Sequence, residues 1–342
     1  MKVGLKLLLG VGSLLAALAL PSIGAAQEAQ APLSSTEDDA AAQQQQQGPL
    51  LPEPAKLKMQ LKGASSHTVH VNRKVRAKVR LRPFVDGEEI VVRLVNRGRT
   101  VKKRPLKVKQ VGNKNVGVVR FTSPRLLESG TYKVKALHKA TPAQGSDRVG
   151  SSGFHVKYPD LDPGQSNGDV LLFNHLLHRR GYYVSGGSKY GDATQRAVMA
   201  FRKVNRMRRS WNASPDIFRK LAEGKGGFHL KYPGAGRHVE VDISRQVMVL
   251  ADNGKAQHIF HVSTGAPATP TIRGHYHFYR KDPGFNSVGM YYSVYFIRGY
   301  ATHGYHSVPP YNASHGCVRN PIPNSKFIYN WISLGMSIYV YG

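Results

Sequence analysis

The spacing of apolar and polar residues divides the chain into segments of different structure. From residue 56 to 157, apolar and basic residues alternate with a period of two, as in HTVHVNRKVRAKVRLRPFV. This period is typical of strands with one buried face, and Gly, Asn, Asp and Pro separate the runs. The segment therefore predicts a small β-sandwich with basic residues on an exposed face.

Apolar residues then recur at helical spacing in three short runs, which predicts three helices between residues 165 and 222. Asp192 or Thr194 opens the second helix, and Ser214-Pro215 supplies a cap and first-turn pair for the third. The residues that mark the helices are Val170, Phe173 and Leu177, then Ala197, Val198, Phe201 and Val204, then Leu221.

Strand patterns return from residue 228 to 342. RHVEVDISRQVMVLADNGKAQHIFHVSTG predicts a hairpin, with Asp252-Asn253-Gly254 as the tight turn because Asn and Gly tolerate positive φ. TIRGHYHFYRK, MYYSVYFIRGYATHG and MSIYVYG predict further strands. The fold prediction is a multidomain, mainly β protein: a sandwich at 56–157, a small three-helix domain at 165–222 and a β-rich domain at 228–342.

The first residues predict export. Lys2 and Lys6 precede an apolar run from Leu7 to Leu20, and Gly24-Ala25-Ala26 follows. A basic start, a short apolar core and a small-residue site are typical of a secretory signal peptide, here 1–26. An uncleaved anchor is the alternative, and both place the body of the protein outside the cytoplasm. Residues 27–55, rich in Gln, Ala and Pro, predict a disordered linker.

The formal net charge of +29 is concentrated in one segment. Residues 56–157 hold 25 Lys and Arg against 5 Asp and Glu. Such a surface attracts polyanions, which outside a cell are anionic wall polymers rather than nucleic acid. Adhesion to the wall and a role as a basic spacer are both consistent with this pattern.

One cysteine, Cys317, is present, so the chain contains no internal disulfide. An exported single thiol is reactive, buried and inert, or bridged to another molecule. Its neighbours His315, Gly316 and Arg319 favour a reactive thiol, because cationic groups stabilise the thiolate. His303 lies 14 residues upstream, across a loop stiffened by Pro309-Pro310. These residue types predict a Cys/His acyl-transfer site, with backbone N–H groups at Gly316 and Cys317 as oxyanion donors.

The β segment and the helical segment each resemble a known type of domain. ESGTYKVKAL resembles the late strand of an immunoglobulin-like sandwich. The helical segment resembles a peptidoglycan-binding domain of the three-helix type, although Asn174, His175, Arg202 and Lys203 replace its usual glutamines. The matching residues are Leu176-Leu177, Gly181-Tyr182-Tyr183, Tyr190-Gly191, Thr194, Ala197-Val198, Phe201, Phe218 and Leu221. A plain helical spacer is the alternative.

The C-terminal segment 237–342 resembles an L,D-transpeptidase catalytic domain of the YkuD type. His303-Gly304 and SHGCVRN, from Ser314 to Asn320, match the family motif. VSTGAPATPT resembles its earlier strand and turn, but the loop between His303 and Ser314 is shorter than in many members.

The resemblance implies roles for individual residues. Cys317 is then the nucleophile and His303 the general base, while His315 and Gly316 shape the oxyanion site and Ser314 orients it. The residues expected to contact substrate are Arg319, which would hold a carboxylate, Asn320, Tyr305 and Tyr292. For the tyrosines, plain packing is the alternative.

The resemblance also implies the substrates. They are tetrapeptide stems of peptidoglycan that contain diaminopimelate, as donor and acceptor, and the product is a crosslink between third residues. Carbapenem-type inhibitors are expected. The enzyme would be secreted, to the cell wall or the periplasmic side of the membrane, and need no cofactor or metal. Three alternatives remain: an L,D-carboxypeptidase, a wall-binding adhesin without catalysis, and a zinc site formed by His303, His315 and Cys317 with His275 and His277.

Overall fold

A computed structural model describes residues 52–64 and 66–342. The predicted signal peptide, 1–26, and the predicted linker up to residue 51 lie outside these residues. The linker was expected to extend to residue 55. However, Glu53 pairs with Gln144 and accepts the Gly145 N–H, so residues 53–55 belong to the β region that follows.

Ten strands occupy the segment predicted to be all β. They are β1 Lys56–Lys62, β2 Thr68–His70, β3 Arg76–Arg82, β4 Glu89–Asn96, β5 Arg99–Lys107, β6 Lys109–Gln110, β7 Gly117–Thr122, β8 Gly130–His138, β9 Asp147–Gly150 and β10 Phe154–Lys157. They form a sheet in the order β1-β3-β7-β6 and a second in the order β2-β10-β8-β4-β5, with β9 paired to β8. Apolar side chains of both sheets share one core. Whether this arrangement is immunoglobulin-like stays a prediction.

The basic residues of this β region lie on both sheets. In the second sheet, Lys103, Arg93 and Lys135 stand directly opposite one another on β5, β4 and β8. In the first sheet, Lys78 stands opposite Arg120. The expectation of a single basic face was therefore too narrow. Like charges directly opposite each other destabilise a sheet, so both surfaces favour an anionic partner.

The three predicted helices are present as α1 Gly168–Arg179, α2 Asp192–Val204 and α3 Pro215–Ala222. The Asn167 side chain caps α1 by accepting the N–H groups of Asp169 and Val170. The apolar residues at helical spacing are buried because they face one another and the neighbouring sheets. That the helices form a peptidoglycan-binding domain stays a prediction.

The helical segment shares its hydrophobic core with the β region and with the first hairpin of the C-terminal segment. Asp169 on α1 also accepts hydrogen bonds from His70 at 2.8 Å and Arg73 at 3.2 Å. Residues 52–342 lie in one compact unit. One hydrophobic core therefore extends from the β region through the helices to the hairpin around Asn253, and the rest of the C-terminal segment has a second core of its own. That the segments are separate domains stays a prediction.

Nine strands and one helix follow. They are β11 His238–Asp242, β12 Val247–Asp252, β13 Lys255–His261, β14 Gly274–His277, β15 Arg280–Phe285, β16 Tyr291–Ile297, β17 Tyr300–Tyr305, β18 Val318–Pro321, α4 Ile322–Trp331 and β19 Ser337–Tyr341. One sheet has the order β13-β12-β11-β19-β14 and the other β15-β16-β17-β18. Asn253 and Gly254 adopt φ of 51° and 69° in the predicted turn.

Two features of this segment differ from the sequence prediction. TIRGHYHFYRK contains the start of β15 as well as β14, and these two strands belong to different sheets. Helix α4, which packs on β16 and β17, was not predicted. Its signal was the proline pair Pro321 and Pro323, which is suited to a helix start. None of the helices in the described part of the chain is long and apolar enough to cross a membrane.

Candidate active site

Two parallel strands bring the predicted catalytic residues together. On β17 and β18, His303 lies directly opposite Arg319. Cys317 comes just before β18, and its sulfur meets the backbone of Ala301. Because alternate residues of a strand share a face, Cys317 and Arg319 lie on the same face as His303 and Tyr305. Strand pairing therefore brings His303 and Cys317 together, although they lie 14 residues apart in the chain.

The Cys317 thiol is half-buried at the end of this strand pair. The Ala301 N–H donates to Sγ at 3.4 Å, and Sγ lies 3.7 Å from the Gly299 carbonyl. Burial raises the pKa of the thiol, and the Ala301 N–H and the Arg319 charge oppose this only in part. Arg319 thus lowers the pKa of the thiol in the direction that the sequence predicted, but burial has the larger effect.

The His303 ring is buried, with 3% of its surface exposed. Its Nδ1 lies 2.9 Å from the Gly304 carbonyl, which only accepts, so Nδ1 carries the proton. Burial lowers the pKa of His303 from 6.5 to about 4. The ring is therefore neutral at pH 7, and its Nε2 keeps a free lone pair. No hydrogen bond joins this ring to Cys317.

The turn before Cys317 is held by Ser314. Its Oγ donates to the Cys317 carbonyl at 2.5 Å and accepts the Gly316 N–H at 3.1 Å. The Gly316 N–H is thus occupied, contrary to its predicted role as an oxyanion donor. The Cys317 N–H has no acceptor among the described residues. Gly316 has φ of 114°, and a Cβ there would lie 2.3 Å from the Tyr300 ring, so this position requires glycine.

Thr271 was missed by the sequence reasoning. Its Oγ1 donates to the Gly316 carbonyl at 2.7 Å and accepts the Gly265 N–H at 2.9 Å. The side chain is 3% exposed. Thr271 stands in the VSTGAPATPT stretch, but 45 residues separate it from Gly316. Only the folded chain shows that it supports the turn.

Arg319 and Tyr305 form one side of the site. The Arg319 guanidinium lies over the Tyr305 ring, 4.2 Å from its centroid. One of its nitrogens donates to the Ala313 carbonyl at 3.3 Å. The Arg319 backbone pairs with Ser263 in both directions at 2.9 Å, which fixes the strand. The rest of the guanidinium remains available for an anion.

Three other predicted residues lie elsewhere. Asn320 is 1% exposed and bonds Thr302 at 3.3 Å and Ser325 at 2.8 Å on the opposite face of β18, so the predicted substrate contact is wrong. It joins α4 to the strands instead. The Tyr292 ring packs edge-on against Tyr291 and Tyr329, as the packing alternative requires. The His315 side chain is exposed.

The helical segment holds the loop between His303 and Cys317. The buried Lys203 amine on α2 donates to His261 Nδ1 and to the Val262 carbonyl, both at 2.7 Å. His261 Nε2 then donates to the Val308 carbonyl at 3.0 Å. Arg209 donates to the Pro310 carbonyl. Burial lowers the pKa of both Lys203 and His261. Sequence reasoning treated Lys203 only as a departure from the glycan-binding pattern.

The described residues contain no ligand set for the zinc site that was the alternative. Within residues 52–64 and 66–342, no three His, Cys, Asp or Glu side chains cluster closely enough to hold a metal ion. The His275 and His277 rings lie 5.0 Å apart at an interplanar angle of 50° on β14, which belongs to the other sheet of the C-terminal segment.

A family model and solved structures match this part of the chain. The model of the YkuD family, described as the L,D-transpeptidase catalytic domain, matches residues 236–340. The solved L,D-transpeptidase of Xylanimonas cellulosilytica DSM 15894 (residues 123–326) has 29% identity and a TM-score of 0.50, over 54% of this chain and 98% of that one. No curated protein matches the chain.

Two further solved structures are less similar. The L,D-transpeptidase (Yku) of Stackebrandtia nassauensis has 21% identity and a TM-score of 0.34, over 53% of this chain and 94% of its own. The L,D-transpeptidase of Mycobacterium smegmatis has 14% identity and a TM-score of 0.29, over 84% and 100%.

Proposed function

We propose that this chain, which contains an L,D-transpeptidase catalytic domain of the YkuD family at residues 236–340, crosslinks peptidoglycan stem peptides through a thioester on Cys317. The observation that carries the proposal is the shared strand face, where the chain's one thiol lies beside a buried, neutral His303 and the half-exposed Arg319. A peptidoglycan-modifying L,D-transpeptidase is the activity that the family match supports.

The first half of the reaction forms the acyl-enzyme. The thiol attacks the carbonyl carbon of the third stem residue, and His303 Nε2 takes the thiol proton as it does so. Since both groups are neutral at rest, proton transfer accompanies the attack. The C–N bond then breaks, His303 returns the proton to the leaving D-Ala amine, and the thioester remains on Cys317.

The second half transfers the acyl group. A side-chain amine of another stem attacks the thioester and gives a proton to His303. The C–S bond then breaks, and His303 returns that proton to the departing sulfur, which regenerates the thiol. The proposed donor to the oxyanion that forms in both halves is the Cys317 N–H, which has no acceptor among the described residues. Ser314 and Thr271 hold the turn that aims this N–H.

Arg319 is the proposed anchor for a stem carboxylate. Its planar guanidinium suits a carboxylate geometrically, and its position opposite His303 places that carboxylate beside the reacting amide. Tyr305 supports the guanidinium from below.

Water in place of the amine would make the same site an L,D-carboxypeptidase, and an inactive site would leave a wall-binding adhesin. Incubation of the full chain with a purified disaccharide-tetrapeptide, followed by mass spectrometry of the products, separates these functions. A crosslinked dimer lacking one D-Ala supports transpeptidation. A monomeric tripeptide alone supports hydrolysis, and unchanged substrate supports the adhesin.

The proposal includes export and attachment to anionic wall polymers. Residues 1–26 have a signal-peptide pattern, and like-charged rows cover the β region at 56–157. The N-terminal sequence of protein recovered from the outside of the producing cell tests export, with residue 27 expected at the new terminus.

A further inference from the structure

A cavity of about 250 Å³ lies between the helical segment and the catalytic domain. Arg196 and Trp211 line it from the helical side, and Tyr305, His306 and Pro321 from the catalytic side. No acidic residue lines it. Arg196 and Trp211 lie outside residues 236–340, which the family model matches.

The Arg196 guanidinium has no hydrogen bond or ion pair with the described residues, and its Nε is buried without a partner. Asp192, one turn earlier on α2, forms no ion pair with Arg196, although its charge raises the pKa of Arg196 against the larger effect of burial. The guanidinium lines the cavity without an acceptor among the described residues, and its planar fork of N–H donors suits a carboxylate. The cavity therefore favours a ligand that bears a carboxylate.

The aromatic residues define what else the cavity can hold. Trp211 is 40% exposed and stands edge-on to His261, with 6.0 Å between ring centroids, so part of its indole surface is open. An open indole surface packs well on a flat, largely apolar group such as one face of a sugar ring. Pro321 and its neighbours close the opposite wall.

Tyr305 joins this cavity to the catalytic face. Its ring lies 5.7 Å from the His303 ring and under Arg319. Tyr305 lies four positions after Ala301 on β17, and the Ala301 N–H contacts the Cys317 sulfur. At about 3.3 Å per strand residue, the cavity lies about 13 Å from the thiol along the strand. An extended tripeptide with the atoms that join it to a sugar spans a similar length.

We propose that this cavity, which we call the Arg196–Trp211 subsite, binds the sugar-proximal end of the donor stem while its third residue reacts at Cys317. Arg196 pairs with a carboxylate near that end, and Trp211 packs on the first sugar ring. The proposal rests on the proposed function, since it names where that function's donor binds.

The test compares three acyl donors on the full chain: a disaccharide-tetrapeptide, the same tetrapeptide without sugar, and a carbapenem too small to reach the subsite. The variants are Arg196→Gln, Arg196→Lys and Trp211→Ala. Arg179→Gln, an exposed arginine of α1, is the control of equal charge.

We expect Arg196→Gln to raise KM for the disaccharide-tetrapeptide about tenfold or more, because a charge-assisted pair is lost. Arg196→Lys should recover part of this loss. Trp211→Ala should raise KM for the disaccharide-tetrapeptide and leave KM for the free tetrapeptide within twofold. The rate of carbapenem acylation and the Arg179→Gln control should stay within twofold of wild type.

Unchanged KM in Arg196→Gln and Trp211→Ala would overturn the subsite while leaving the proposed function in place. An equal loss of carbapenem acylation, together with a lower melting temperature, would also overturn it by showing a structural role. Absence of stem turnover by the wild-type chain would instead contradict the proposed function and the subsite with it.

Discussion

The backbone N–H of Ala301 lies 3.4 Å from the Sγ atom of Cys317. This contact places the thiol beside the same strand that carries His303, so one pair of parallel strands aligns the proposed nucleophile with the proposed base. The N–H also stabilises negative charge on sulfur when the proton leaves. The structure therefore favours a thiolate formed during attack over one present at rest.

Substitution of His303 and of His306 tests whether a histidine has a catalytic role or only lies near the motif in sequence. His303 is buried on the face that carries Cys317, whereas His306 is exposed and its ring lies 4.2 Å from that of Tyr305. We expect His303→Ala to lower kcat about 10²–10⁴-fold, the range for loss of a general base, and His306→Ala to lower it less than tenfold. Steady-state kinetics on both variants decides this. Equal losses would contradict the assignment of His303 as base.

The acid limb of the pH profile reports His303. Because its pKa is lowered to about 4, the ring stays neutral and able to accept a proton through pH 5–7. We expect the rate of Cys317 acylation to be lost only as the pH falls through about 4. An acid limb centred near 6.5 would show that burial does not lower the pKa of His303 in the folded chain.

The stability of the folded chain should also depend on the protonation of His303. In the unfolded chain this histidine binds a proton below pH 6.5, and in the folded chain only below about pH 4. The free energy of unfolding therefore decreases as the pH falls between these two values. The loss is of the order of 3 kcal/mol at most. Urea denaturation of wild type and His303→Gln from pH 7 to 4 measures it, with a flatter dependence expected in the variant.

A carbapenem should add covalently to Cys317. The thiol is the free cysteine of the chain, and such a drug presents a reactive carbonyl to it. Intact-mass spectrometry is expected to show one drug adduct in the wild type and none in Cys317→Ala. The Cys317→Ser variant, which keeps the side-chain shape, controls for loss of the binding surface. An adduct that persists in Cys317→Ala would remove the thiol from the mechanism.

The basic β region should bind purified wall polymers in a salt-dependent manner. Arg93, Lys135 and Arg148 line a groove of about 410 Å³ on the second sheet, and Arg93 Nε is buried without a partner among the described residues. The full chain should pellet with cell wall at low salt and be released as salt rises, because ions screen charges beyond about 8–10 Å.

Charge variants locate that binding. The triple variant Arg93→Gln, Lys103→Gln and Lys135→Gln should lose more pelleting than a matched triple variant on the first sheet, Lys58→Gln, Lys78→Gln and Arg80→Gln. Equal losses would show that total charge matters and the groove does not. Binding that ignores salt in the wild type would make the β region a spacer.

The sequence predicted well the features that depend on local pattern. The period of the apolar residues predicts strands β3 and β4 and the three helices α1 to α3. The Asn253-Gly254 turn follows from residues that tolerate positive φ. The motif gives His303 and Cys317 and their spacing, and the structure brings both residues to the same pair of strands, whereas their catalytic roles stay predictions.

What depends on tertiary packing was missed. The pKa directions of Cys317 and His303 come from burial, which the residues beside them in sequence do not reveal. Thr271 and Lys203 support the site from 46 and 114 residues away from Cys317, and no local pattern marks such contacts. Asn320 belongs to the motif, but the alternation of β18 points it to the opposite face.

The most direct measurement is the intact mass of the full chain trapped during reaction with a disaccharide-tetrapeptide. The account predicts a transient species heavier by one disaccharide-tripeptide acyl group, with release of D-Ala, and peptide mapping should place that group on Cys317. Addition of an amine acceptor should discharge it into a crosslinked product. The Cys317→Ala variant should form neither species. Crosslinked product from Cys317→Ala, or an acyl group mapped to another residue, would contradict the central claim.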